Sequence, residues 1–447
     1  MQRLGFFCAG KRQDISKKHL RLVLAFLLFV ACQGRSNPGH TPSLTAAVSP
    51  AAGENVGQLA YIGLDGNVYV TTADASWRVA VTTDATAPPE RLGRSYHRVS
   101  WSPDGWLAFA AVTRSLQNIR STLYVIQSPQ ETPTLVGESE AHFVIYIYWS
   151  PVTCPERPSC RRLAYLIQEG ADIGLRQVTI DADGADNRLL DTGRPFYFSW
   201  APDGRSMVWH TGGARAADSD PRLALFDVIG DSIAPLADAP GAFVAPAWSP
   251  LGGEWLAVSV EGGADKLQRF RPDHPPDPVA ASHGEWVFAW SPSGDRIAYS
   301  QRIDVLGQEY GPIFVRAFEN GTSTQLTRDG FNIRGFFWAP QGDRIAYLTG
   351  LDVGDQDWMQ WRTYNLITGQ DRGFAVFHPS PHMRYVVTTF NQYAQSHRLW
   401  SPDGRYLVYA ERDPAQVDRI WLVDTYAQRG AAPLPVAEGT IGFWSWH

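Results

Sequence analysis

Cysteine is scarce, with four in 447 residues, and two of them, Cys8 and Cys32, fall before residue 33. A small fold held together mainly by disulfides is excluded. Long apolar runs are missing as well. The ten-residue stretch LVLAFLLFVA at 22–31 reaches about 15 Å as a helix, half of the roughly 30 Å hydrocarbon core, so it does not read as a membrane span. Positive charge is not in excess either: 39 Lys and Arg face 45 Asp and Glu, a net −6, and nucleic acid is not an expected partner. What the chain does have is aromatic residues, 12% of the total, and 40 Gly with 31 Pro as punctuation. That mixture favours many short strands joined by tight turns.

The N-terminus carries Arg3, Lys11, Arg12, Lys17, Lys18 and Arg21 against Asp14, and the apolar run follows. Residues 1–31 therefore read as a signal peptide. The run ends in Val30-Ala31-Cys32, which resembles a bacterial lipobox, with Phe29 where the family usually has Leu. The resemblance implies that Cys32 is lipidated and becomes the mature N-terminus. The protein would then be exported and held in the cell envelope at the outer face of a membrane by that anchor alone; ordinary cleavage and release is the alternative. Residues 32–56, rich in Ser, Pro, Ala and Gly, read as a flexible tether. Losing the six basic residues and one acid of 1–31 takes the net charge from −6 to −11.

From residue 57 to 447 a Trp-centred pattern recurs. It reads WSPDGWLAFA from Trp101, WSP from Trp149, WAPDGRSMVW from Trp200, WSPLGGEWLAV from Trp248, WSPSGDRIAY from Trp290, WAPQGDRIAY from Trp338 and WSPDGRYLVY from Trp400, with Trp446 taken as the eighth. The mean interval of about 49 residues suits four short strands and their turns, one propeller blade per repeat. Ser-Pro-Asp-Gly supplies the turn chemistry, and LAFAAV, RIAYS and YLVYA are β-prone runs. Leu59-Ala60-Tyr61-Ile62 has the second-strand pattern with no Trp-Ser-Pro before it, and 440–446 has the first-strand pattern. Pairing of these N- and C-terminal strands should close the ring. The expected fold is all-β, a single propeller of eight four-stranded blades. Seven stays open, because the 149 copy has lost its Asp-Gly turn and the 338–400 interval stretches to 62 residues.

The W-S-P-D-G repeats, with VTIDADGADNRLL at 178–190, resemble the TolB-like branch of WD-repeat-like propellers. The resemblance implies the fold and names no substrate. A prolyl oligopeptidase-like enzyme would need a further α/β domain with a G-x-S-x-G elbow, and none occurs.

Few residues carry recognisable chemistry. Cys154 and Cys160, in CPERPSC, suit a local disulfide, and two thiols without a nearby His do not make a zinc site. Thr192 stands where a calcium loop starting at Asp181 needs Glu, so DADGADN reads as a hairpin turn. Asp352, Asp355 and Asp357 read as a solvated loop between strands two and three of their blade. His378 and His382 have a metal-like spacing, but Pro379 and Pro381 argue against a helix there, so both are taken as loop residues. No metal or cofactor is expected.

Side chains three or four positions before each repeat Trp should face one mouth of the channel, the default binding site. These are His97, Tyr146, Tyr197, Trp286, Arg334 and His397, joined by Tyr393 from the long insertion at 377–404. Two positions before the Trp, Arg398 is the one charge among apolar residues and needs a partner or a ligand. The expected function is a non-catalytic, surface-tethered binding or scaffold protein. Its ligand would be a protein partner or a small carbohydrate or peptide, at the channel mouth or rim. The alternatives are a propeller enzyme, a hydrolase or lyase acting on sugars or lactones, and an accessory subunit of an envelope or transport assembly.

Overall fold

The computed structural model describes residues 56–140, 142–213, 221–280, 284–303, 309–353 and 356–447. The leader, Cys32, the tether up to residue 55 and Asp355 lie outside the described residues. No helix among the described residues is long and apolar enough to cross a membrane.

Each repeat starts on an inner strand that ends at its Trp and turns sharply. At Ser102-Pro103-Asp104-Gly105 the Gly105 amide donates to the Ser102 carbonyl at 3.1 Å, and the Ser102 hydroxyl donates to Asp104 at 2.6 Å. Gly105 sits at φ +90°, a conformation that side chains with a Cβ rarely adopt. The chain then folds back through three more antiparallel strands. Six four-stranded sheets arise in this way, over 93–140, 144–193, 196–235, 247–278, 286–325 and 333–377. In the second of them the hairpin at Asp181↔Gly184 confirms the turn read in DADGADN, and Cys154 and Cys160 are joined as a disulfide, with Cα atoms 5.3 Å apart.

The seventh sheet closes the ring and has six strands, in the order 406–412, 418–424, 434–444, 58–63, 68–72 and 78–80. Strand Leu434–Trp444 serves both halves: residues 434–438 pair with Asp418–Asp424, and residues 439–444 pair with Gln58–Gly63 through Leu59↔Trp444, Ala60↔Phe443 and Tyr61↔Gly442. Gly439 stands at the handover, where a Cβ would come within 2.7 Å of the Ile62 carbonyl oxygen. The blades therefore number seven rather than the favoured eight, because the last two sequence repeats share one strand and merge. The closing pair of terminal strands is as expected.

Neighbouring blades are joined by the repeat tryptophans. In six of them the indole N–H donates to the carbonyl just before the previous repeat's Trp: Trp149 to Ser100, Trp200 to Tyr148, Trp290 to Ala247, Trp338 to Ala289, Trp400 to Phe337 and Trp101 to Phe443, all at 3.0–3.2 Å. The last bond corrects the repeat position at the C-terminus. Trp444, not Trp446, occupies the repeat position, and the Trp446 indole instead donates to the Trp101 carbonyl at 3.1 Å. Trp248 and Trp444 are the departures, each with its indole nitrogen buried without a partner; the Trp248 ring lies 5.1 Å from Trp255, and its backbone N–H donates to Ser199 Oγ at 3.1 Å.

This difference between two equivalent tryptophans is measurable. Trp290→Phe and Trp248→Phe each trim an indole, but only the first removes an indole hydrogen bond between blades, so Trp290→Phe should cost about 1 kcal/mol more in urea denaturation. Equal losses would show that the indole bond contributes nothing to the ring.

Candidate functional site

The long insertion is not a loop. It forms α1, Pro381–Thr388, and α2, Phe390–Ser396. Pro381 takes the first helical position, where its missing N–H costs nothing, and the Ser380 side chain caps the helix by accepting from the Met383 amide at 3.1 Å. This corrects the argument that the two prolines forbid a helix: His382 lies in the first turn of α1, and only His378 precedes it. The helices pack on the inner strands Phe196–Trp200, Trp286–Trp290 and Ile333–Trp338 and on the closing strand Leu434–Trp444, which places them in the channel. Phe390 is wholly buried, its ring resting on Gly335, where a Cβ would come to 3.0 Å.

The helices occupy much of the place expected for a ligand. Tyr146 is buried, donates to Ser396 Oγ at 2.5 Å, and lies 5.4 Å from Tyr393 and 5.8 Å from His397 between ring centroids. Tyr197 stacks on Phe243 at 4.6 Å and, with Tyr146, Tyr385 and Tyr393, lines a small cavity of about 160 Å³. Trp286 is buried against Tyr299 at 5.7 Å. Bulges in three inner strands re-aim His97, Ile145 and Arg334. His97 Nε2 then meets the Val144 carbonyl at 2.9 Å, and Arg334 pairs with Glu309 at 2.9 Å. Asp357, from the acidic hairpin, pairs with Arg384 of α1 at 3.2 Å. The sequence reading missed Arg98, which donates to the Ile145 carbonyl at 2.7 Å and lies over Tyr385 at 5.0 Å, tying two blades to α1. Its place three residues before Trp101 was the available signal.

A larger cavity, about 370 Å³, opens at the Trp-Ser-Pro end of the inner strands. Its walls are Trp200, Trp248, Trp290, Trp338 and the prolines of the turns, and its floor is Ala394, Gln395, His397 and Arg398. Of the expected residues, only His397 and Arg398 reach it. His397 is held at both nitrogens. Nε2 lies 3.0 Å from the Val99 carbonyl and must carry the proton, so Nδ1, 2.6 Å from Ser396 Oγ, accepts. Burial pushes its pKa down to about 3, which makes it a poor base. The Arg398 guanidinium lies 3.9 Å over the Trp446 ring, Nε has no hydrogen-bond partner, and no acid is among the residues lining the cavity. Burial lowers its pKa to about 10, so it stays a cation at neutral pH. The cavity thus offers one unpaired positive charge in aromatic walls, and no paired carboxylates or metal ligands. No group of three or more metal-ligating side chains occurs among the described residues.

No family model matches the chain, and no curated protein does. Solved structures do. TolB from Acinetobacter baumannii is 15% identical, over 75% of this chain and 81% of its own, with a TM-score of 0.39. An oligogalacturonate lyase in complex with manganese is 13% identical over 82% and 97%, TM-score 0.49, and the β-propeller domain of the Trilobed protease from Pyrococcus furiosus is 8% identical over 78% and 99%, TM-score 0.47. The first is of the kind that the Trp-Ser-Pro repeats resemble. At such identities the likeness concerns the fold and says nothing of activity.

The buried imidazoles have a pH signature. Desolvation pushes His97 and His397 down to about 3 and His210 to about 4, from an ordinary value of 6.5. The unfolded chain takes up these protons below pH 6.5 and the folded chain does not. Stability is therefore whole above that pH and falls towards pH 4, by up to about 1.4 kcal/mol per pH unit for each imidazole. In urea titrations between these limits, His397→Gln should flatten the fall by one imidazole's share. An unchanged slope would mean that His397 is protonated in the fold.

Proposed function

We propose that this is a non-catalytic, extracytoplasmic binding protein that seats its ligand in the cavity beside Arg398. The observation that carries the reading is an aromatic-walled cavity of about 370 Å³ facing a cation without a partner. Ligand sites are mostly apolar hollows of about 300–1,000 Å³ with a few oriented polar groups. An enzyme acting on sugars or lactones is less well supported, since the one imidazole here is committed at both nitrogens and the lining holds no acid. Nothing comparable favours an accessory subunit with a merely packed channel, because the channel keeps this volume open.

A thermal-shift screen of the protein against peptides, oligosaccharides and small organic acids tests the reading. A ligand at a hundred times its Kd should add about 2.7 kcal/mol. The gain should vanish in Ala394→Phe, which puts bulk into the cavity floor; a ligand that binds equally well to that variant sits elsewhere.

Export and lipid anchoring through Cys32 belong to the same proposal and rest on the charged leader, the apolar run and the lipobox-like Val30-Ala31-Cys32. Cys32→Ser should abolish incorporation of labelled fatty acid and move the protein from the membrane to the soluble fraction. Retention of the label in that variant would place the lipid on another residue.

A further inference from the structure

We infer that the cavity recognises a carboxylate carried beside a flat apolar group, with Arg398 as the anchor. The inference deepens the binding reading above and rests on it.

Several partly buried arginines of the fold have acid or hydrogen-bond partners, although Arg114, outside this cavity, has a buried nitrogen without one. Arg344 meets Asp343, Thr425, Tyr426 and the Gly404 carbonyl; Arg222 meets Asp191, Arg334 meets Glu309 and Arg362 meets Asp371. Arg398 has an aromatic ring and no acid. An unpaired charge in a partly desolvated site is costly, and an incoming anion offsets that cost.

The placement also selects the shape of the anion. Trp446 covers a face of the guanidinium and is itself fixed by its bond to the Trp101 carbonyl. Stacking of this kind leaves the N–H edge of the guanidinium available, and that edge matches the two oxygens of a carboxylate. No second Arg and no Lys lines the cavity, so the charge suits a monoanion better than a phosphate dianion. Beyond Arg398 the walls are indoles and prolines, which receive flat apolar groups by stacking.

Calorimetric titration of the protein with matched acids and amides decides the matter. N-acetylphenylalanine and N-acetylphenylalaninamide share one body and differ in the charge; Gly-Gly-Phe and its amide repeat the comparison at a chain end, and the tighter-binding acid tells a free aromatic acid from a peptide terminus as the source. Each acid should bind about 10- to 100-fold tighter than its amide, the range expected for charge-assisted hydrogen bonds. Arg398→Gln should erase the difference and Arg398→Lys should keep part of it. If Arg398→Gln does not fold, the acid–amide difference in the unaltered protein decides alone. Equal binding of acid and amide, or no binding of any acid, overturns the carboxylate assignment. A neutral ligand that binds and is lost in Ala394→Phe would do so while leaving the binding reading intact.

Discussion

The indole N–H donated by a repeat tryptophan to the carbonyl before its predecessor is the contact on which the ring depends. Each such bond crosses from one repeat to the one before it, at the inner strand, where the indole is a donor from the neighbouring blade to a backbone carbonyl of the sheet. The recurrence of Trp at nearly constant spacing is thus a requirement for contact between blades, and the Ser-Pro turn that follows it ends the inner strand at the same level each time. The bond from Trp101 to Phe443 applies this rule across the closure, joining residues 342 positions apart.

A ring built this way leaves space on its axis, and α1 and α2 take up much of it. Phe390 and Tyr393 join the core that runs through the inner strands, and Tyr146, Ser396 and His397 form a hydrogen-bonded chain from a blade to the helix and on to the Val99 carbonyl. The open volume that remains lies at the Trp-Ser-Pro end, where Arg398 is both the backbone partner of Trp444 and the unpaired charge under Trp446. One short segment therefore contributes to closure, to the filling of the channel and to the candidate site.

The fold was legible because its devices are local and repeated: Trp, then a proline turn with glycine, then β-branched and aromatic runs. The blade count was harder to read. Nothing in the local pattern of 434–444 says that one strand will change partners halfway, and the nearby Trp444 and Trp446 look alike until one of them meets Leu59. The helices were legible in principle. Ser380-Pro381 is a start signal, and Met383, Val386, Val387 and Phe390 follow at helical spacing; the prolines were weighed as breakers without regard to position. Arg398 is legible as a charge among apolar equivalents, whereas nothing local to His97, Tyr146 and Tyr197 shows that the chain supplies its own occupant for the channel.

Ser380 has a double attachment: its oxygen accepts from the Met383 amide at the start of α1, and its hydroxyl donates to the Thr440 carbonyl on the closing strand at 2.8 Å. The atom that starts the helix is thus also tied to the clasp. One side chain thereby couples the filling of the centre to the fastening of the circumference, since an unclasped ring lacks the carbonyl that orients this hydroxyl.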